Sequence, residues 1–150
     1  MKKYLLDTNI ISYLEKENTP EFKKIITKLQ ELENEDILSI SMLTLFEYQT
    51  SISLVDDTQI KEALVHKKSQ LVKNYKVENL EFQQEVIFGE LQRQYLDKTG
   101  GNIKGIKKHN IDFLIASQVI FKDMILVSND NIFKTIAEIR DDFKYENWIN

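Results

Sequence analysis

Four acidic residues draw attention by position: Asp7, Glu47, Asp112 and Asp130. Asp7 closes a short apolar run, Tyr4-Leu5-Leu6, and is followed by Thr8 and Asn9, a hydroxyl and an amide. Glu47 sits among Leu43, Leu45, Phe46 and Tyr48, so its face is not plainly a solvent face. Asp112 opens an almost wholly apolar stretch, where an unpaired buried charge would be costly. Asp130 ends Ser128-Asn129-Asp130, just past the most apolar strand-like run of the chain. Taken singly, most have an ordinary explanation. Asp112 is a first-turn acid favoured by the helix dipole, Asp130 a turn residue, and Glu47 a side chain reaching for water. Asp7 at a strand end is the hardest to explain that way. Gathered in one pocket, the four would supply the oxygen ligands that Mg²⁺ or Mn²⁺ prefers, for one or two ions. Such an ion lowers the pKa of a water and stabilises charge on a phosphodiester.

The elements needed to gather them are legible. Strands are expected at 3–6, 36–40, 76–80, 124–128 and 144–146. Helices are expected at 10–16, from Pro20 onward, at 42–54, 58–75, 81–98, 111–121 and 131–139. Asn18-Thr19-Pro20-Glu21 is a helix start, and Phe22, Ile25, Ile26, Leu29 and Leu32 then recur at helical spacing. Ser41, the stretch Asp56-Asp57-Thr58 and Asn110 are the expected caps of the helices that follow them, and Gly100-Gly101 the stop of another. Strands alternating with helices imply an α/β fold with a short parallel sheet of about five strands, flanked by helices. In such a sheet, function collects beyond the carboxyl ends of the strands, where Asp7 and Asp130 would both stand. The absence of repeats, linkers and low-complexity stretches reads as one domain over 1–150.

Composition bounds the chemistry. The 150 residues include no cysteine and only two histidines, His66 and His109, so any metal must be held by oxygen. No apolar run approaches the roughly 18 residues of a membrane span, and the run at the start breaks at Asp7, too early for a signal peptide. A cytoplasmic protein with no membrane contact is expected. The net charge of −4 argues against a nucleic-acid binder. Its distribution softens that objection. Residues 98–111 carry Lys98, Lys104, Lys107 and Lys108 and no acid, and residues 61–76 carry five lysines against Glu62 alone. Lys104, Lys107, Lys108 and His109 are candidate RNA contacts, with a plain solvated surface as the alternative. Ile52, Leu54, Ile60, Leu64 and Leu71 suit either an interface or the core.

At these residues the chain resembles the PIN-domain family, and within it the VapC-type toxins of toxin–antitoxin pairs. Leu5-Leu6-Asp7-Thr8-Asn9-Ile10-Ile11 resembles the first family motif, and Ser41-Met42-Leu43-Thr44-Leu45-Phe46-Glu47 the second. Asp112-Phe113-Leu114-Ile115-Ala116 resembles the third, and Leu126 through Phe133 the fourth, with Ser128 where threonine is commoner. Glu146-Asn147-Trp148 is similar to the family's tail. Two places depart from the pattern: the basic stretch Gly105-Ile106-Lys107-Lys108-His109-Asn110, where glycine-isoleucine-glycine is common, and Ile132, where a polar residue is common.

The resemblance implies a PIN-like three-layer sandwich and a Mg²⁺- or Mn²⁺-dependent endoribonuclease. It implies Asp7, Glu47, Asp112 and Asp130 as catalytic and metal-binding acids, with Thr8, Asn9 and Ser128 as supporting polar residues. It further implies an RNA substrate, a cognate antitoxin protein and a homodimer. Two other classes stay open. One is a PIN-like module that binds RNA or protein without cutting. The other is an Asp-dependent phosphatase, which would want a second aspartate where Asn9 stands.

Overall fold

The three central strands assemble through apolar residues covered on both faces, and two polar, partly exposed strands close the edges. A computed structural model describes all 150 residues. It comprises β1 (Lys3–Leu6), α1 (Thr8–Leu14), α2 (Pro20–Gln30), β2 (Ile37–Ser41), α3 (Met42–Leu54), α4 (Thr58–Asn74) and β3 (Lys76–Glu78). There follow α5 (Gln84–Thr99), α6 (Ile103–Lys107), α7 (Asn110–Phe121), β4 (Ile125–Val127), α8 (Asn131–Ile139) and β5 (Lys144–Glu146). The sheet order is β3-β2-β1-β4-β5 and every pair is parallel. This is the expected α/β sandwich of a parallel sheet between helices.

Alternation along the strands divides the core. Leu5 and Leu126 point into one cluster with Phe113 of α7 and Phe133 of α8. Tyr4, Leu6, Ile40 and Val127 point into the other with Ile25 of α2 and Trp148. Burial on both faces is why the strands read as continuous apolar runs rather than as alternating ones. The register pairs Leu6 with both Ile40 and Val127. Asp7, Ser41 and Ser128 therefore emerge at one level, on the carboxyl edge of the sheet.

Several expected boundaries move for local reasons. α1 starts at Thr8 rather than at residue 10, because the Asp7 carbonyl already accepts from the Ile10 and Ile11 amides. α5 starts at Gln84, since residues 81–83 form a turn closed by Gln84 N–H to Glu81 O and by Glu81 N–H to Gln84 Oε1. The basic stretch read as a loop contains the single-turn helix α6, capped by Asn102, whose side chain accepts from Gly105 N–H at 2.8 Å. Asn110 does not cap α7. It is the first residue of that helix, and its side-chain oxygen accepts from Gln92 Nε2. The residues that suited core or interface separate: Ile52 and Leu71 are buried, Leu64 is half-buried, and Leu54 and Ile60 are exposed. No helix is long and apolar enough to cross a membrane.

Candidate active site

The carboxyl edge of the sheet places the four acids on four different elements. Asp7 follows β1 and occupies the cap position of α1. Asp130 follows β4 and caps α8, accepting from Ile132 N–H at 3.3 Å. Glu47 lies on α3, which begins where β2 ends, and Asp112 lies in the first turn of α7. The N-termini of α7 and α8 thus bring their partial positive charge to this edge.

Ser128 is the polar centre of the arrangement. It is fully buried, and its hydroxyl donates to Asp7 Oδ2 at 2.7 Å. The same oxygen accepts from Asp130 N–H at 3.1 Å and from Asn9 Nδ2 at 3.2 Å. One donor proton and two lone pairs are all a hydroxyl offers, so Ser128 is saturated. The other Asp7 oxygen accepts from Thr8 N–H at 2.9 Å. The Thr8 hydroxyl in turn donates to Glu47 Oε1 at 3.1 Å and lies 3.1 Å from the Thr44 hydroxyl. The expected supporting residues Thr8, Asn9 and Ser128 therefore all touch the acids or one another. Thr44 was not among them. Its position three residues before Glu47, on the same helix face, is the signal that could have found it.

Charge at this edge is uncompensated. Burial pushes the Asp7 carboxyl above its ordinary pKa. The Ser128 and Thr8 hydrogen bonds oppose the shift, and Asp112 and Asp130 add repulsion. Glu47 is raised by loss of water around its carboxyl, then by Asp7 and Asp112, although the residue as a whole is exposed rather than enclosed by its apolar neighbours. Asp112 is raised by burial and by Asp130, against a hydrogen bond from His109, whose Nδ1 lies 3.3 Å from Asp112 Oδ2. His109 is the only basic side chain in contact with any of the four, since every lysine and arginine ion pair goes elsewhere. A cation suits this donor set. Even so, no three acidic or histidine side chains are close enough to share one ion as they stand. The acids form a negative patch rather than a closed coordination sphere.

Lys104, Lys107 and Lys108 are exposed and unpaired, on and just after α6, a few residues ahead of Asp112. The second basic stretch is largely spoken for: Lys67 pairs with Glu15, Lys68 with the Gln49 side chain and Lys76 with Glu78. A cleft of about 260 Å³ opens beside Glu47 and Thr8, bounded by Ser12, Tyr48 and Lys67.

A parallel α/β sheet carrying acids without lysine or arginine partners over its carboxyl edge defines a class, and comparison narrows it. The PIN domain pattern matches residues 4–139, and the chain belongs to that family. No curated protein matches it. Among solved structures it is similar to a chain of VapBC2 from Rickettsia felis, bound to a DNA fragment from their promoter. The identity is 27%, the coverage 97% of this chain and 98% of that one, and the TM-score 0.70. It shares its fold with VapBC-1 from nontypeable Haemophilus influenzae, at 22% identity, 99% coverage of each chain and a TM-score of 0.74. The same holds for FitAcB from Neisseria gonorrhoeae, at 20% identity, 97% coverage of each and a TM-score of 0.71. The first likeness supports a VapC-type member of the family, and the other two show the shared fold.

Proposed function

We propose that the chain is the toxin of a VapBC-type pair, a Mg²⁺- or Mn²⁺-dependent endoribonuclease acting on RNA phosphodiester bonds. The observation that carries this reading is the acid patch, without a lysine or arginine partner, on the carboxyl edge of a PIN sheet. Asp7, Glu47, Asp112 and Asp130 would hold one or two ions. When bound, the metal supplies Lewis acidity, easing loss of a proton from water and offsetting charge on the phosphate. Ser128 and Thr8 fix the two oxygens of Asp7, and Thr8 also steadies Glu47. Glu47 accepts from Thr8 through Oε1 alone, and we assign Oε2 the proton released as water adds to phosphorus; the P–O bond to a ribose oxygen breaks, and that oxygen leaves with a proton taken from water. Lys104, Lys107, Lys108 and His109 would receive the flanking RNA phosphates.

The partners follow from the same reading: a cognate antitoxin and a second copy of this chain. Phe46, Leu54, Ile60 and Val65 are exposed on α3 and α4 and would suit covering by either. A cytoplasmic location accords with such a pair. One observation favours a second reading, an RNA- or protein-binding PIN module that does not cut: the acids do not close around a single ion. Induced expression separates the two. Growth arrest with RNA fragmentation by wild type, absent with Glu47→Gln, is expected of the nuclease. Equal arrest by both proteins would favour the non-cutting module. The Asp-dependent phosphatase loses ground because Asn9, where its second aspartate would stand, is committed to Ser128 and to Asn129 N–H.

A further inference from the structure

The segment after β5 reaches the acid patch through a line of hydrogen bonds that enters Asn129 at its side chain and leaves from its backbone N–H. Asn147 Nδ2 donates to Asn129 Oδ1 at 3.0 Å. The Asn129 N–H donates to Asn9 Oδ1 at 3.4 Å, and Asn9 Nδ2 donates to Ser128 Oγ at 3.2 Å. From Ser128 the line divides to the Asp7 carboxylate and the Asp130 amide. The sheet ladder ends at Ser128 N–H to Glu146 O, and α8 begins only at Asn131. Between them the chain's path is set by side chains: Asn9, Asn147 and the Ser128 hydroxyl.

The far end of the line is firmly seated. Trp148 and Ile149 are buried, Trp148 meets the Tyr4 ring edge-on at 5.5 Å, and Lys24 Nζ donates to Ile149 O at 2.9 Å. Asn147 Oδ1 accepts from the Ile149 and Asn150 amides, which leaves its Nδ2 directed at Asn129. We infer that this segment is a strut of the acid site, and that Asn147 is a positioning residue that fixes Ser128 and Asp130 by acting through Asn129. The metal-binding consequence rests on the nuclease reading; the geometric one does not.

The test compares Asn147→Ala, Asn129→Ala and the double variant with wild type. Emission of Trp148, the sole tryptophan, reports whether the segment stays docked. Asn129 is half-buried between β4 and α8 and also accepts from Asn150 Nδ2 at 3.5 Å, so its variant breaks the contact from the other side and leaves the residues of the docked segment unchanged. The amide resonance of residue 130 is expected to shift in each variant, while Trp148 emission is unchanged in Asn129→Ala, which keeps the Asn147 Oδ1 bonds to the Ile149 and Asn150 amides. Mn²⁺ titrated by calorimetry is expected to bind about tenfold more weakly to each single variant, at the lower end for groups that support metal ligands. The double variant is expected to be no weaker than either single one within about twofold, because both substitutions break one path. Losses that multiply, or resonances that stay put, would overturn the strut. If wild type bound no Mn²⁺, the nuclease reading would fall, and the strut would stand or fall on the resonances alone.

Discussion

Asp7 is held by two hydrogen bonds and repelled by two neighbouring acids, and its pKa records the balance. It lies above the ordinary carboxylate range, as do those of Glu47 and Asp112, with burial the first cause in each. For such a group the folded state binds the proton more tightly than the unfolded state. Its effect on stability is therefore neutral below the ordinary pKa and turns unfavourable as pH rises through the folded value. Without metal, Asp7→Asn is expected to melt higher than wild type at pH 7, with the gap closing toward pH 4; saturating Mn²⁺ should stabilise wild type more than the variant. Scanning calorimetry at both pH values, with and without Mn²⁺, checks this. A metal-free variant less stable than wild type at pH 7 would mean that Asp7 serves packing. Ser128→Ala removes the donor to Asp7 Oδ2 and the acceptor of the Asp130 amide. The loss of one such buried, charge-assisted bond is worth about 1.5–3 kcal/mol, so cleavage should fall by at least about tenfold. Sequence reading located these residues because strand ends and first turns are local features. It left the exposure of Glu47 open, because which side of α3 faces the sheet is decided by packing and not by its immediate neighbours; the residue is exposed while its carboxyl has lost part of its water.

At the scale of elements, helix starts do most of the positioning. Thr19, Ser41, Asp57 and Asp130 each accept from an amide of the first turn, and all four lie at starts visible in the sequence. α6 was not visible, since one turn with a glycine and two lysines has no periodicity to detect. Its cap bond from Gly105 N–H to Asn102 is expected to keep Lys104 and Lys107 in place. Replacing Lys104, Lys107 and Lys108 by alanine should raise KM for RNA with little change in kcat. It should also flatten the salt dependence of binding by about one unit of slope for each phosphate that a lysine no longer neutralises. Filter binding across a salt series measures this. An unchanged slope would return the lysines to ordinary surface.

The whole molecule explains why the fold was more legible than the site. Three apolar runs and two short polar edge strands, separated by helices, admit few arrangements, and a parallel sheet whose centre is buried on both faces is the simplest. Its two cores meet through the sheet, so a cavity in either should be felt throughout. Phe113→Ala, at a position with no solvent exposure, is expected to cost about 3–5 kcal/mol in urea unfolding. A cost below about 1 kcal/mol would contradict the packing described. Long-range polar pairs such as Asn147 with Asn129 or Thr8 with Glu47 were not legible, because they exist only after the sheet has set its register. The most direct test of the central claim is incubation of purified, partner-free protein with total RNA in Mg²⁺, in Mn²⁺ and in EDTA, beside Asp7→Asn. Discrete products that require the metal, and that fall at least about a hundredfold with the variant, are expected. Products that persist in EDTA, or no products from folded wild type with either metal, would contradict it.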